Sequence, residues 1–141
     1  MSGINTNKVV MAGLAAGFVM NVIDFIVNST LLSAQWTAAM TALNHAKGME
    51  SGAAVASFII SDFVLGLVAA FIYAAIRPRF GAGLRTGLIA GAIIWICSLT
   101  FAWPLQAMGL FPMGLIAMTM AGSIVSYLAG GATAGRLYSE A

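Results

Sequence analysis

Apolar residues fill four long runs, at about 9–33, 53–76, 84–105 and 111–135. Each is as long as the roughly 20 helical residues that a bilayer core requires. The pattern predicts an all-α protein: an integral membrane bundle of four transmembrane helices forming a single domain over residues 1–141. The joins read as loops. Residues 35–52 hold Trp36, His45, Lys47 and Glu50, and 36–46 has the makings of a short interfacial helix. Arg77-Pro78-Arg79-Phe80-Gly81 reads as a tight turn with a helix-stopping proline. Residues 106–112 form a short uncharged turn.

Within the runs, small and polar residues recur at spacings of three and four, which places them on one helix face. The first run carries Gly13, Gly17, Asn21, Asp24 and Asn28 in such a stripe. The second carries Asp62, Gly66, Ala69, Tyr73 and Arg77, and the third Gly83, Gly87 and Gly91. The fourth carries Thr119, Gly122, Ser126, Gly130 and Thr133. The opposite faces are rich in Leu, Ile, Val, Phe and Met. Small residues let membrane helices approach closely, so Gly13, Gly17, Gly66, Gly83, Gly87, Gly91, Gly122 and Gly130 are the expected packing positions. Those contacts lie either within the bundle or between subunits. The sequence Gly-Leu-x-Ala-Gly opens both the first run (13–17) and the third (87–91). A parallel repeat of two helical hairpins accounts for this, and chance is the competing account, since these residues are common in membrane helices.

Composition agrees with lipid as the solvent. The chain is 61% hydrophobic and 7% charged, against about 25% charged residues in soluble domains. The net charge of +2 comes from few scattered groups and gives no footprint for nucleic acid. Lys8, Arg77, Arg79, Arg85 and Arg136 fall on one side of the predicted membrane and Lys47 alone on the other. Basic residues favour the cytoplasmic side, so both termini are expected there. Asn21, Asp24 and Asn28 interrupt the first run and no small-x-small site follows, which argues against a cleaved signal peptide.

The sharpest chemical feature is a pair of intramembrane carboxyls. Asp24 and Asp62 fall at similar depth on adjacent antiparallel spans, each slightly to the loop side of centre. A charge at the bilayer centre costs at least about 2.5 kcal/mol on insertion scales. Three arrangements satisfy such a pair. The two share a proton. They hold a cation with oxygens from Asn21, Asn28 and nearby serines. Or they meet a partner's basic or amide group. The structural alternative is that each is a protonated, hydrogen-bonded packing residue.

Other candidates carry less. His45 reads as an exposed loop histidine. Trp36, Trp95 and Trp103, with Tyr73, Tyr127 and Tyr138, read as interfacial anchors and packing groups. The nine methionines lack the Cys or His clustering of a copper site, and no metal or cofactor is expected. No zinc-protease, serine-hydrolase, phosphate-loop or dinucleotide motif is present. The sequence therefore points to a non-enzymatic membrane protein acting through helix–helix association. It would be an accessory subunit of a larger membrane complex or a homo-oligomer, with the lipid bilayer and other membrane subunits as partners. The alternative is a small carrier or channel for protons, cations or a polar solute, built on the aspartate pair.

Overall fold

The computed structural model describes residues 3–139. Helix α1 (Thr6–Asp24) runs directly into a π-helical segment (Phe25–Leu31). A short α2 (Ser33–Ala42) follows, then α3 (Gly52–Phe80), α4 (Leu84–Ala107) and α5 (Met113–Leu137). Four helical stretches are long and apolar enough to cross a bilayer: 26 residues over α1 and the π segment, then 29, 24 and 25. The shortest rises about 36 Å, against a hydrocarbon core of about 30 Å. Phe18, Phe25, Ile60, Phe71 and Phe101 point outward, which suits a multi-pass membrane protein whose outer surface meets lipid.

Polar side chains set the helix starts. The Asn5 carboxamide oxygen accepts from the Lys8 amide at 3.2 Å, and the Ser51 hydroxyl accepts from the Ala54 amide at 3.2 Å. Two boundaries differ from expectation. Pro78 does not stop α3, which continues through Arg77, Pro78 and Arg79 to Phe80. A proline deprives the helix of one backbone donor, a loss tolerable in a last turn held by its neighbours. The break comes instead at Gly81 (φ +86°) and Gly83 (φ +116°), which adopt backbone that L side chains rarely enter. The short helix after the first span begins earlier than expected, at Ser33, and ends where Asn44 takes a positive φ.

The tightest pairings are α1 with α3 and α4 with α5, and α1 also packs along α5. Both hairpins use one device. A Cβ on Gly66 would collide with the backbone of Gly13 and Gly17, and one on Gly131 with the backbone of Gly87 and Gly91. The Gly-Leu-x-Ala-Gly segments thus occupy equivalent positions in the two hairpins, each bracketing one glycine of the returning helix. Gly122 and Gly130 lie instead against side chains, those of Val27 and Met20. Gly83 precedes α4 and packs through its backbone: a Cβ on it would meet nothing within 4 Å, but its carbonyl oxygen would lie 3.1 Å from a Cβ on Gly135. Gly131 and Gly135, absent from the expected set, make the close approaches to α4.

At one end of the bundle the N-terminus, the α3–α4 turn and the end of α5 meet around two tyrosines. Tyr73 and Tyr138 are 1% and 4% exposed, so neither is an interfacial anchor. Their rings meet edge to face at 5.8 Å. The Gly83 amide donates to the Tyr73 hydroxyl at 2.9 Å and the Asn5 amide to the Tyr138 hydroxyl at 3.1 Å. The Arg77 guanidinium lies 5.8 Å over the Tyr138 ring. Alanines of α1, α3, α4 and α5 fill the layer beneath. Tyr73→Phe keeps the ring and removes one bond to a backbone donor. It should lower stability by about 1 kcal/mol, read as a fall in thermal midpoint in detergent. An unchanged midpoint would mean that this bond does not hold the turn.

The opposite end is capped by α2. Leu32 and Ala39 pack on Leu115 of α5, and Trp36 meets Phe111 edge to face at 5.5 Å.

Candidate functional site

The structure brings Asp24 and Asp62 together. Asp24 ends α1 and Asp62 lies in α3, and their side chains are within hydrogen-bonding reach of each other. Glycine makes this approach feasible. A Cβ on Gly17 would lie 2.6 Å from the Phe63 Cα and 2.9 Å from the Asp62 carbonyl oxygen, so the backbones of α1 and α3 nearly touch beside Asp62. The third member of the site comes from α5: the Ser126 hydroxyl reaches the Asp24 carboxyl and also faces the Met20 carbonyl at 3.4 Å. Asp62 and Ser126 are buried, at 9% and 0% exposure, and Asp24 is half-buried. Tyr127, the next residue of α5, is half-buried near both carboxyls.

The two asparagines near the pair make bonds of their own. Asn21 donates to the Gly17 carbonyl at 3.1 Å and to the Ile59 carbonyl at 3.2 Å, tying α1 to α3. Asn28 donates to the Asp24 carbonyl at 3.1 Å, and its own oxygen accepts from the Trp36 indole at 3.1 Å. Asn28 therefore pins α2 to the π segment. The segment that carries it is π-helical, with bonds from residue i to i+5 that widen the turn just after Asp24. The Leu32 amide bonds the Val27 carbonyl at 2.9 Å in this way.

Nearby hydroxyls are mostly bound within their own helices. Ser57 donates to the Ala53 carbonyl at 2.8 Å and Ser98 to the Trp95 carbonyl at 2.7 Å. On α5, Ser123 donates to the Met120 carbonyl at 3.0 Å, and the Trp95 indole donates to the same oxygen at 3.0 Å. The Thr119 hydroxyl oxygen is buried with no hydrogen-bond partner among the described residues. No group of three His, Cys, Asp or Glu side chains occurs among them either. His45 is exposed in the loop after α2, and Cys97 lies on an exposed face of α4.

The six basic residues are Lys8, Lys47, Arg77, Arg79, Arg85 and Arg136, none in the middle of a span. The nearest along α3 is Arg77, fifteen residues from Asp62, or about 22 Å along the axis. Chemically, the site is two carboxyls and a hydroxyl inside a low-dielectric bundle. Two carboxyls in contact there cannot both ionise without severe repulsion, and holding one proton between them removes the conflict. Comparison with family models, curated proteins and solved structures finds no match.

The sequence located the carboxyls but not Ser126 as their partner, nor the Trp36–Asn28 and Trp95–Met120 bonds. The available signal for Ser126 was its place between Gly122 and Gly130 on the small face of α5.

Proposed function

We propose that this chain is a small membrane carrier or channel that moves protons, or a solute coupled to protons, through the site formed by Asp24, Asp62 and Ser126. The observation that supports this most is the direct meeting of two carboxyls from different helices in the buried interior, with no basic residue close along either helix. A pair holding one proton can take up a second and give it back without ever carrying two negative charges, which is the property a proton relay requires. A cation carrier is less favoured, because the Asn28 side-chain oxygen, one of the expected ligands, accepts from the Trp36 indole instead. The glycine stripes do not speak for subunit contacts, since their closest approaches lie inside the chain.

The second reading is association with other membrane subunits, as an accessory subunit or a homo-oligomer without enzymatic activity. It draws support from the small amount of chain outside the long helices, which leaves the outward apolar faces as the main surface for contacts. Both readings are tested on Asp24→Asn and Asp62→Asn, with native mass as the folding control. The carrier reading expects proton-dependent flux in proteoliposomes from the wild type and none from either variant. The association reading expects loss of a co-purifying subunit. Wild-type flux equal to that of empty liposomes, across a range of ions and imposed gradients, would count against transport.

Both readings place the arginine-bearing end in the cytoplasm, by the distribution of basic residues. In a Cys97→Ala background, Gly3→Cys and Ser139→Cys should be protected from an impermeant thiol reagent in intact cells. Glu50→Cys should react. Labelling at Ser139→Cys with protection at Glu50→Cys would invert the orientation.

A further inference from the structure

A row of hydroxyls leads away from the carboxyls along α5. Ser126 lies within reach of Asp24; Ser123 and Thr119 follow at spacings of three and four, on the same face. Ser126 and Ser123 are buried, at 0% and 6% exposure. The Thr119 oxygen is buried too and lacks a protein partner among the described residues. A buried hydroxyl left in this condition can take a water as its partner. The axial steps between the three residues are about 4.5 and 6 Å, and one water making two hydrogen bonds of about 2.8 Å spans each. Ser126 and Ser123 rest with their protons on the Met20 and Met120 carbonyls, at 3.4 and 3.0 Å. Each keeps lone pairs to accept a proton, and by turning its own O–H it passes one on with its charge unchanged.

The two ends of the bundle differ along this line. Toward the arginine end, the small face of α5 continues as Gly130, Gly131 and Ala134, packed against Met20, the glycines of α4 and the alanine layer under the tyrosines. On that side the next hydroxyl of α5 in line with Ser126 is Thr133, seven residues away, or about 10.5 Å along the axis, too far for a single water to bridge. Toward the other end, the row stops at Thr119, one turn short of Leu115, where the cap formed by Leu32 and Ala39 begins.

We infer that Thr119, Ser123 and Ser126 form a proton path joining the Asp24–Asp62 pair to the α2 end of the bundle, with its mouth beneath the α2 cap. The inference rests on the proton-holding role of the pair and adds the route and its sidedness. In the path, a proton arriving at Thr119 is taken up as that hydroxyl releases its own toward Ser123. The same exchange repeats to Ser126 and the Asp24 carboxyl, so one proton enters and one carboxyl is protonated. Thr119 and Ser123 are positioning residues here, since neither touches the carboxyls.

The test is deuterium exchange of the protonated carboxyl, followed by its infrared carbonyl stretch after lipid-reconstituted protein is moved into heavy water. Thr119→Val and Ser123→Val should slow the exchange about tenfold or more, equivalent to a small rise in barrier. The position and amplitude of the band should stay as in the wild type. Thr119→Ser restores a hydroxyl and should restore the rate, which a packing role for Thr119 would not produce. Ser98→Val, off the row on α4, should exchange at the wild-type rate. Unchanged exchange in both row variants, or equal slowing by Ser98→Val, overturns the path. A variant that loses its native mass is replaced by Ser123→Ala, judged by the same criterion. A wild type with no carboxyl band that depends on Asp24 or Asp62 overturns the proton-holding reading itself, which is a different failure.

Discussion

Asp24→Asn and Asp62→Asn should not add. In a double-mutant cycle on thermal stability, the double variant should depart from the sum of the singles by about 0.5–3 kcal/mol, the range for directly interacting groups. The reason is the shared site. With both carboxyls present, one must stay protonated or the two repel in a medium that screens charge poorly. Removing either one frees the other from that constraint, so the second substitution has less left to change. Asn keeps a polar group of similar shape for the Ser126 contact, so each single variant should still assemble, and native mass should confirm it. Additivity within about 0.5 kcal/mol would place the two side chains in independent environments.

Gly17→Leu and Gly91→Leu should damage the bundle far more than Leu14→Ala or Ile93→Ala. A Cβ on Gly91 would collide with the Tyr127 carbonyl oxygen and sit 3.0 Å from the Leu128 Cα, and one on Gly17 would press on Phe63 at 2.6 Å. These obstacles are backbone, which cannot swing aside as a side chain can. Overpacking of this kind costs about 1–3 kcal/mol and occasionally more. Leu14 and Ile93 are 46% and 38% exposed, and truncating such outward side chains should change stability by about 0.5 kcal/mol or less. Gly17→Leu has a second consequence, because it separates α1 from α3 beside Asp62. It should weaken the coupling between the carboxyls even in the fraction that folds. Equal losses of thermal stability for the two classes of variant would mean that the glycine faces are not the contact faces.

Much of the architecture is legible in the sequence because lipid imposes a simple rule: long apolar runs become spanning helices. The depth of Asp24 and Asp62 follows from counting along those runs, and the glycine spacing marks the faces that come together. The details depend on information that a 3.6-residue period lacks. Asn28 reads as a ligand for the carboxyl pair, yet its amide bonds the Asp24 carbonyl of the backbone and its oxygen accepts from Trp36, a residue that spacing within the first span does not bring into view. Gly130 and Gly131 are neighbours in sequence but point about 100° apart, so one faces Met20 and the other α4. Composition cannot tell which of the two meets which helix. Tyr73 and Tyr138 resemble interfacial anchors by position, yet both are buried because their hydroxyls satisfy backbone amides at the chain's turn and N-terminus. Pro78 reads as a stop signal, whereas the positive φ of Gly81 and Gly83 is what ends the helix.

A single proton held between Asp24 and Asp62 underlies both the proposed relay and the proposed path. Infrared difference spectra of the lipid-reconstituted protein at neutral pH measure this directly, through the carbonyl stretch of a protonated carboxyl. One such group per chain is expected in the wild type, with Asp24→Asn and Asp62→Asn each removing or shifting the same band. Two bands that respond separately to the two substitutions, or no protonated carboxyl at all, would contradict it.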